Sequence, residues 1–189
     1  PGSVVAVFGC GTLGLAVIGA LVSCGALVVA IDPSERRRDV ALRLGAGAAV
    51  PAADGASVRQ AMHDALGVSE VDLVVEASGS AAAQAAAFAL TGWASKILFM
   101  GLGHTDAMNV ALRDIQSKQL VLLSSSGAPP SIWKSTLRLL ERSGLDLTPA
   151  VSPVYAFEDI ESAISAAKDP HNSGKVMLRP GSGTVGASS

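Results

Sequence analysis

Charge is what this chain has least of. Only 16% of its 189 residues are Asp, Glu, Lys or Arg, where about a quarter is usual in soluble domains. Fourteen basic and sixteen acidic residues leave a net charge of −2. No basic patch stands out, and without one nucleic-acid binding has no electrostatic footprint. Cysteine is almost missing. Cys10 and Cys24 are too few and too scattered for a zinc cage or a disulfide framework, which points to a reducing cytoplasm. A signal peptide and an initiator Met are lacking as well, and Pro1-Gly2 stands directly before a β-branched run, which reads as a cut end. What fills the space is apolar: 49% of residues are hydrophobic. That is enough for one domain with a real core, and a surface so poor in charge is expected to have something packed on it.

The informative part comes first. From Val4 to Ile31 there is no charged residue, and Gly9, Gly11 and Gly14 are spaced G-x-G-x-x-G within that stretch. Val4-Val5-Ala6-Val7-Phe8 is apolar without alternation, the pattern of a strand buried on both faces of a parallel sheet. Gly9 permits the tight turn, Gly11 leaves no side chain where a pyrophosphate must approach, and Gly14 lets the following helix lie close. The amides of Thr12 and Leu13 then open a helix whose positive end faces phosphate. A second strand, Ala26 to Ile31, ends at Asp32, where a carboxylate can hold an adenosine ribose.

An acid at that position repels a 2′-phosphate, so NAD is the expected cofactor and not NADP. Arg36, Arg37 and Arg38 pull the other way, because guanidinium is also what a 2′-phosphate would want. Two blander readings compete. One is a membrane span with a positive flank, against which the glycines, Ser23 and Cys24 break the stretch into strand, helix and strand. The other is a dinucleotide-type unit that has lost its ligand.

Strands and helices continue to alternate. Ser34 to Leu44 carries an N-cap and closes at Gly45, Ala48 to Pro51 is a short strand, and Ser57 to Leu66 a helix. Val71 to Glu76 is a strand, Ala81 to Leu90 an alanine-rich helix ending near Gly92, and Lys96 to Met100 a strand stopping at Gly101. The spacing predicts an α/β Rossmann fold, a doubly wound parallel sheet of about six strands with helices on both faces. The turns at Gly9, Asp32, Ser78 and Gly101 should then share one rim. Beyond it, Asn109 to Arg113 reads as extended, Gln119 to Ser124 as a sixth strand, and Ile132 to Ser143 as an amphipathic helix. Thr148 to Tyr155 reads as extended, Glu158 to Ala167 as helical, and Lys175 to Leu178 as a last strand. Residues 1–147 are expected to form the nucleotide domain and 148–180 a C-terminal segment, with 181–189 a disordered tail.

The order of motifs resembles the medium-chain dehydrogenase/reductase family, in its zinc-dependent alcohol and polyol dehydrogenase branch. The likeness is carried by Val7 to Leu15, Ile31-Asp32-Pro33 with Arg36-Arg37, Leu44-Gly45-Ala46 and Asp72 to Gly79. Met100-Gly101, Phe157 to Ala163 and Gly174-Lys175-Val176 extend it to about Pro180. The resemblance implies that Asp32 binds the adenosine ribose, that Arg37 flanks the adenine side, and that Ala77, Ser78 and Gly79 border ribose and adenine. It implies that Met100, Gly101 and Leu102 line the nicotinamide, that Ser124, Ser125 and Ser126 present backbone groups to the carboxamide, and that Lys175 reaches the pyrophosphate. In the family the zinc ligands lie in a GroES-like catalytic domain encoded before this segment. Zinc is therefore expected only with that domain, against which residues 148–180 would pack and in which a small alcohol or carbonyl substrate would sit. The family's last sheet strand pairs across a two-fold axis, so a homodimer through Val110 to Ser124 is expected.

The remaining candidates have bland readings beside the sharp ones. His63 and His171 read as solvated, while His104, with Asp106 beside it, follows Gly103 on the ligand rim and is the one histidine in reach of a ligand. Cys10 could have its thiol activated by the helix terminus, but reads as a small side chain packed under the loop. Glu76 is either part of the site floor or a hydrogen-bonded cap. Trp93 and Trp133 suit core packing or a subunit contact. The leading function is the NAD-binding portion of an alcohol dehydrogenase-like enzyme. The alternatives are a stand-alone NAD-binding module without catalysis, and zinc-free chemistry through His104.

Overall fold

The computed structural model describes residues 1–103, 110, 112–169 and 174–181. The readings of His104, Asp106, His171 and the tail beyond Gly181 fall outside the described residues. Six parallel strands form one sheet in the order β3-β2-β1-β4-β5-β6. They are β1 (Val4–Phe8), β2 (Leu27–Ile31), β3 (Ala48–Val50), β4 (Val71–Glu76), β5 (Thr91–Phe99) and β6 (Val121–Ser124). Between them run α1 (Thr12–Ser23), α2 (Glu35–Arg43), α3 (Gly55–Leu66), α4 (Ala81–Ala89) and α5 (Leu112–Ser117). After β6 come α6 (Pro130–Ser143), β7 (Val151–Ala156), α7 (Ile160–Lys168) and β8 (Lys175–Arg179), and β7 and β8 pair in parallel as a separate two-stranded sheet.

The unbroken apolar run of β1 is explained by where its residues go. Ala6 and Phe8 join Val29, Ile31, Val74 and Ile97 in a core closed by Val58 and Met62 of α3 and by Ala86 and Ala87 of α4. Val5 and Val7 face the other way, with Val28, Ala30 and Val75, against Leu15 and Ile18 of α1 and Val40 and Ala41 of α2. Two cores share one sheet, so polar alternation has no face to occupy. No helix among the described residues is long and apolar enough to cross a membrane. The uncharged opening is strand, helix and strand.

Local chemistry sets the boundaries. Ser34 caps α2 by accepting from the Arg37 amide at 3.4 Å. Asp54 caps α3 by accepting from the amides of Ala56 and Ser57 at 3.0 and 3.1 Å. Three expectations fail. Leu112 and Arg113 belong to the helix α5, not to an extended piece. Thr148–Ala150 is a turn of 3-10 helix preceding β7, where an extended run was expected. β5 begins at Thr91, well before Lys96, because Gly92 to Ser95 bulge out of the ladder between Val71↔Thr91 and Leu73↔Lys96. Ser95 fills that bulge, its hydroxyl donating to the Val71 carbonyl at 2.6 Å and accepting from the Gly92 amide at 2.9 Å. The bulge carries Trp93 outward to 68% exposure, and Trp133 on α6 stands at 61%, so neither packs in a core.

Candidate functional site

The parallel strands end in turns that hold one another. The Gly9 amide donates to Ile31, the Ala77 amide to Phe8, and the Met100 and Gly101 amides to Glu76, each through a main-chain carbonyl at 2.8 to 2.9 Å. This stitches the ends of β1, β2, β4 and β5 into one rim. Glycine is required where the turns crowd. Gly9 has φ +91°, and a Cβ there would meet the Ser78 backbone nitrogen at 2.9 Å; a Cβ on Gly14 would collide with the Gly9 carbonyl oxygen. Gly11 is the opposite case, with none of the described residues within 4 Å of its would-be Cβ. Its smallness opens space above α1 and relieves no internal contact. Among the described residues no side chain caps α1, so the first-turn amides of Thr12 and Leu13 face that space with the positive end of the helix.

Two cavities meet there. One of about 400 Å³ is bordered by Gly9, Gly11, Asp32, Arg37, Ala77 and Ser78. The other, about 210 Å³, is bordered by Gly11, Thr12, Arg37 and Lys175, the last brought over by β8. Gly11 and Arg37 belong to both. Of the other expected residues, Leu13 and Gly14 shape the start of α1, and Gly79, Met100, Gly101, Leu102 and Ser125 border neither cavity. Leu102 is 82% exposed. Ser125 is anchored by its amide donating to the Phe99 carbonyl at 3.0 Å. The rim glycines Gly79 and Gly101 pack so closely that a Cβ on Gly101 would collide with the Gly79 amide nitrogen.

The acids are held firmly. Asp32 is 2% exposed, with Oδ2 accepting from the Cys10 amide at 2.7 Å and Oδ1 from the Ser34 amide at 2.9 Å. Glu76 is fully buried; its Oε1 accepts from the amide and hydroxyl of Ser78 at 2.8 and 2.5 Å and from the Gly79 amide at 3.0 Å. Glu76 is thus the cap of the turn after β4. Arg38 folds back so that Nη1 donates to the carbonyls of Asp32 and Pro33, at 2.8 and 3.0 Å. Arg36 is exposed, so the three arginines have three different surroundings.

Cys10 is buried, and its thiol is pushed up to about 12, first by burial and then by the Asp32 charge, with Arg37 and Arg38 pulling weakly the other way. Burial thus outweighs any activation by the helix terminus. Exposed His63 lies near Ser69, its Nδ1 3.3 Å from the hydroxyl, away from the rim. Among the described residues, no group of three or more His, Cys, Asp or Glu could hold a metal ion. Sequence reasoning missed the walls Ala52, Ala53, Ala82 and Ala83 of the larger cavity and Asp169 at the smaller one. The alanine pairs follow β3 and open α4, so the strand-end rule could have found them. Nothing in the sequence signals Asp169.

Residues 12–142 match the family described as zinc-binding dehydrogenase. An L-threonine 3-dehydrogenase of Bacillus velezensis is 28% identical over 181 residues, covering 95% of this chain and 52% of that protein. The crystal structure of a 2R,3R-butanediol dehydrogenase from Bacillus subtilis superposes with a TM-score of 0.82 at 26% identity, over 95% of this chain and 51% of that one. A short chain alcohol dehydrogenase from E. coli CFT073, complexed with NADH, shares the fold with a TM-score of 0.82 at 21% identity, over 94% of this chain and 52% of that one. The chain spans about half the length of the curated relatives it matches.

Proposed function

The chain belongs to the zinc-binding dehydrogenase family, and from that premise we propose that it is the dinucleotide-binding portion of an NAD-dependent oxidoreductase that exchanges hydride between nicotinamide and a small alcohol or carbonyl. The observation that carries this reading is the pair of cavities meeting at Gly11 over the uncapped end of α1. Diphosphate fits the smaller cavity, where the amides of Thr12 and Leu13 supply donors and Arg37 and Lys175 supply charge. Adenosine fits the larger one against Ala77 and Ser78. Each Asp32 oxygen holds one amide and keeps a further lone pair for a ribose hydroxyl. Its charge opposes a 2′-phosphate, which favours NAD. Bound there, the dinucleotide supplies the hydride acceptor or donor. This chain's part is to grip the diphosphate and fix the ribose. Met100, Gly101, Leu102 and Ser125 would border the nicotinamide end.

Residues 1–147 would constitute the nucleotide domain, and 148–180 would pack back on a catalytic domain that supplies the zinc and the substrate pocket. A cytoplasmic homodimer fits the same reading. Among the described residues β6 ends the sheet with an unpaired edge, and Val121, Leu122 and Leu123 are all more than 40% exposed on it.

The test uses the open space at Gly11, whose φ of −73° any residue adopts. Gly11→Ala should change stability by about 1 kcal/mol or less, while the methyl stands where diphosphate must approach. Calorimetric titration with NADH should show binding to the wild-type chain and at least a tenfold weaker response from the variant. A folded wild-type chain that takes up no NADH, or equal binding by both, rejects the reading.

A further inference from the structure

The turn between β2 and α2 has one handle fewer than usual. Pro33 has no amide, so the Asp32–Pro33 peptide cannot be pinned by an N–H at its far side. The Asp32 amide reaches the Val50 carbonyl only at 3.3 Å. The carbonyls of Asp32 and Pro33 are what remain, and one guanidinium nitrogen of Arg38, from the first turn of α2, takes both. All three oxygens of Asp32 are thereby held, the main-chain oxygen by Arg38, Oδ2 by Cys10 and Oδ1 by Ser34.

We propose that Arg38 is a specificity-determining positioning residue, clamping the carbonyls before α2 so that the Asp32 carboxylate faces the ribose of NAD(H) and rejects the 2′-phosphate of NADP(H). The proposal rests on the dinucleotide reading above and extends it to a residue that borders neither cavity. Three consecutive arginines beside a nucleotide ribose would by charge alone invite a 2′-phosphate. The clamp explains how one of them serves the opposite preference: its guanidinium is committed to neutral carbonyls, and its effect passes through Asp32. Arg38 is also part-exposed, and water can reach those carbonyls if the side chain is removed, so a loss of selectivity need not come with a loss of fold.

The full chain is titrated with NADH and with NADPH at one ionic strength, as wild type, Arg38→Ala, Arg38→Lys and Arg36→Ala. In Arg38→Ala the NADH affinity should fall about tenfold and the NADPH affinity less than twofold, compressing the ratio about tenfold. Arg38→Lys keeps the charge but ends one bond short of the position of Nη1, which holds both carbonyls, and should compress the ratio at least threefold; it serves as the test if the alanine variant does not fold. Arg36→Ala removes the same charge from an exposed position and should leave the NADH affinity within twofold. An unchanged ratio in both Arg38 variants, or NADH and NADPH weakened in equal proportion, overturns the positioning role and leaves the dinucleotide reading standing. A folded wild-type chain that binds neither nucleotide overturns the dinucleotide reading, and the proposal with it.

Discussion

Residues 4–100 and residues 112–181 place their apolar side chains differently. In the first region β1 and β2 are covered on both faces, and all the buried hydrophobics among the described residues except Ala150 and Ala163 lie there. In the second, Leu122, Ile132, Trp133, Leu137, Ile164 and Met177 are each more than 40% exposed. The amphipathic α6 contains no buried residue. The first region makes its own interior. The second has apolar surface of a kind that monomers rarely leave bare, and its tie to the first includes Leu145 and Leu147 lying over α1 at Gly19.

The difference is broken most directly by truncating one large side chain in each region. Phe8→Ala, at 1% exposure, should lower unfolding stability in urea by about 3–5 kcal/mol, whereas Trp133→Ala should change it by about 0.5 kcal/mol or less. Equal losses would mean that α6 is packed within the chain. A second, smaller effect sharpens the picture inside the first region. An unfolded chain ionises its Cys10 thiol from the ordinary 9.0, while the folded chain retains that proton up to about 12. Above pH 9 the unfolded state therefore holds fewer protons, and stability that is intact below pH 9 declines with rising pH, by about 1.4 kcal/mol at pH 10. Urea titrations at pH 8 and 10 should show this loss in wild type and not in Cys10→Ala. A thiol reagent at pH 8 should label exposed Cys24 at once and Cys10 only in denaturant. The smallest effect on stability is expected at the sheet edge. Leu122→Lys should alter unfolding by about 0.5 kcal/mol or less, yet sedimentation should show the mass falling from dimer to monomer. A wild-type chain that is monomeric at high concentration removes the dimer.

What was legible follows the same division. Where a segment satisfies itself, local rules suffice: Gly14, pressed on the Gly9 carbonyl, and the Ser34 cap are each dictated by a short-range contact, while the apolar run of β1 is legible because both faces of a parallel strand demand it. Asp32 was legible as a site acid but not as a residue already engaged with Cys10, because that partner, 22 positions away, depends on how two strand ends are brought together. The third arginine is a different case: it turns back on carbonyls only five and six positions before it, a local contact that its charge does not announce. The bulge in β5 was hidden because Gly92 to Ser95 look like an ordinary helix exit. The ladder is rejoined through Ser95 and through Lys118, whose Nζ donates to the Thr91 carbonyl at 2.7 Å and whose carbonyl accepts from Ala94 at 2.7 Å. That contact joins residues 27 positions apart, beyond any periodicity.

The strand order has a consequence for how the molecule is born. β1 lies between β2 and β4, and its second partner is remote enough that the Val4 amide donates to the Asp72 carboxylate across 68 positions. As the chain leaves the ribosome, β1 and β2 can associate early, but the other edge of β1 stays open until Glu76 emerges. At about 5–20 residues per second, that leaves several seconds in which the most apolar segment of the protein has a bare side. A nascent chain stalled within α3 should be the form that a chaperone meets most often.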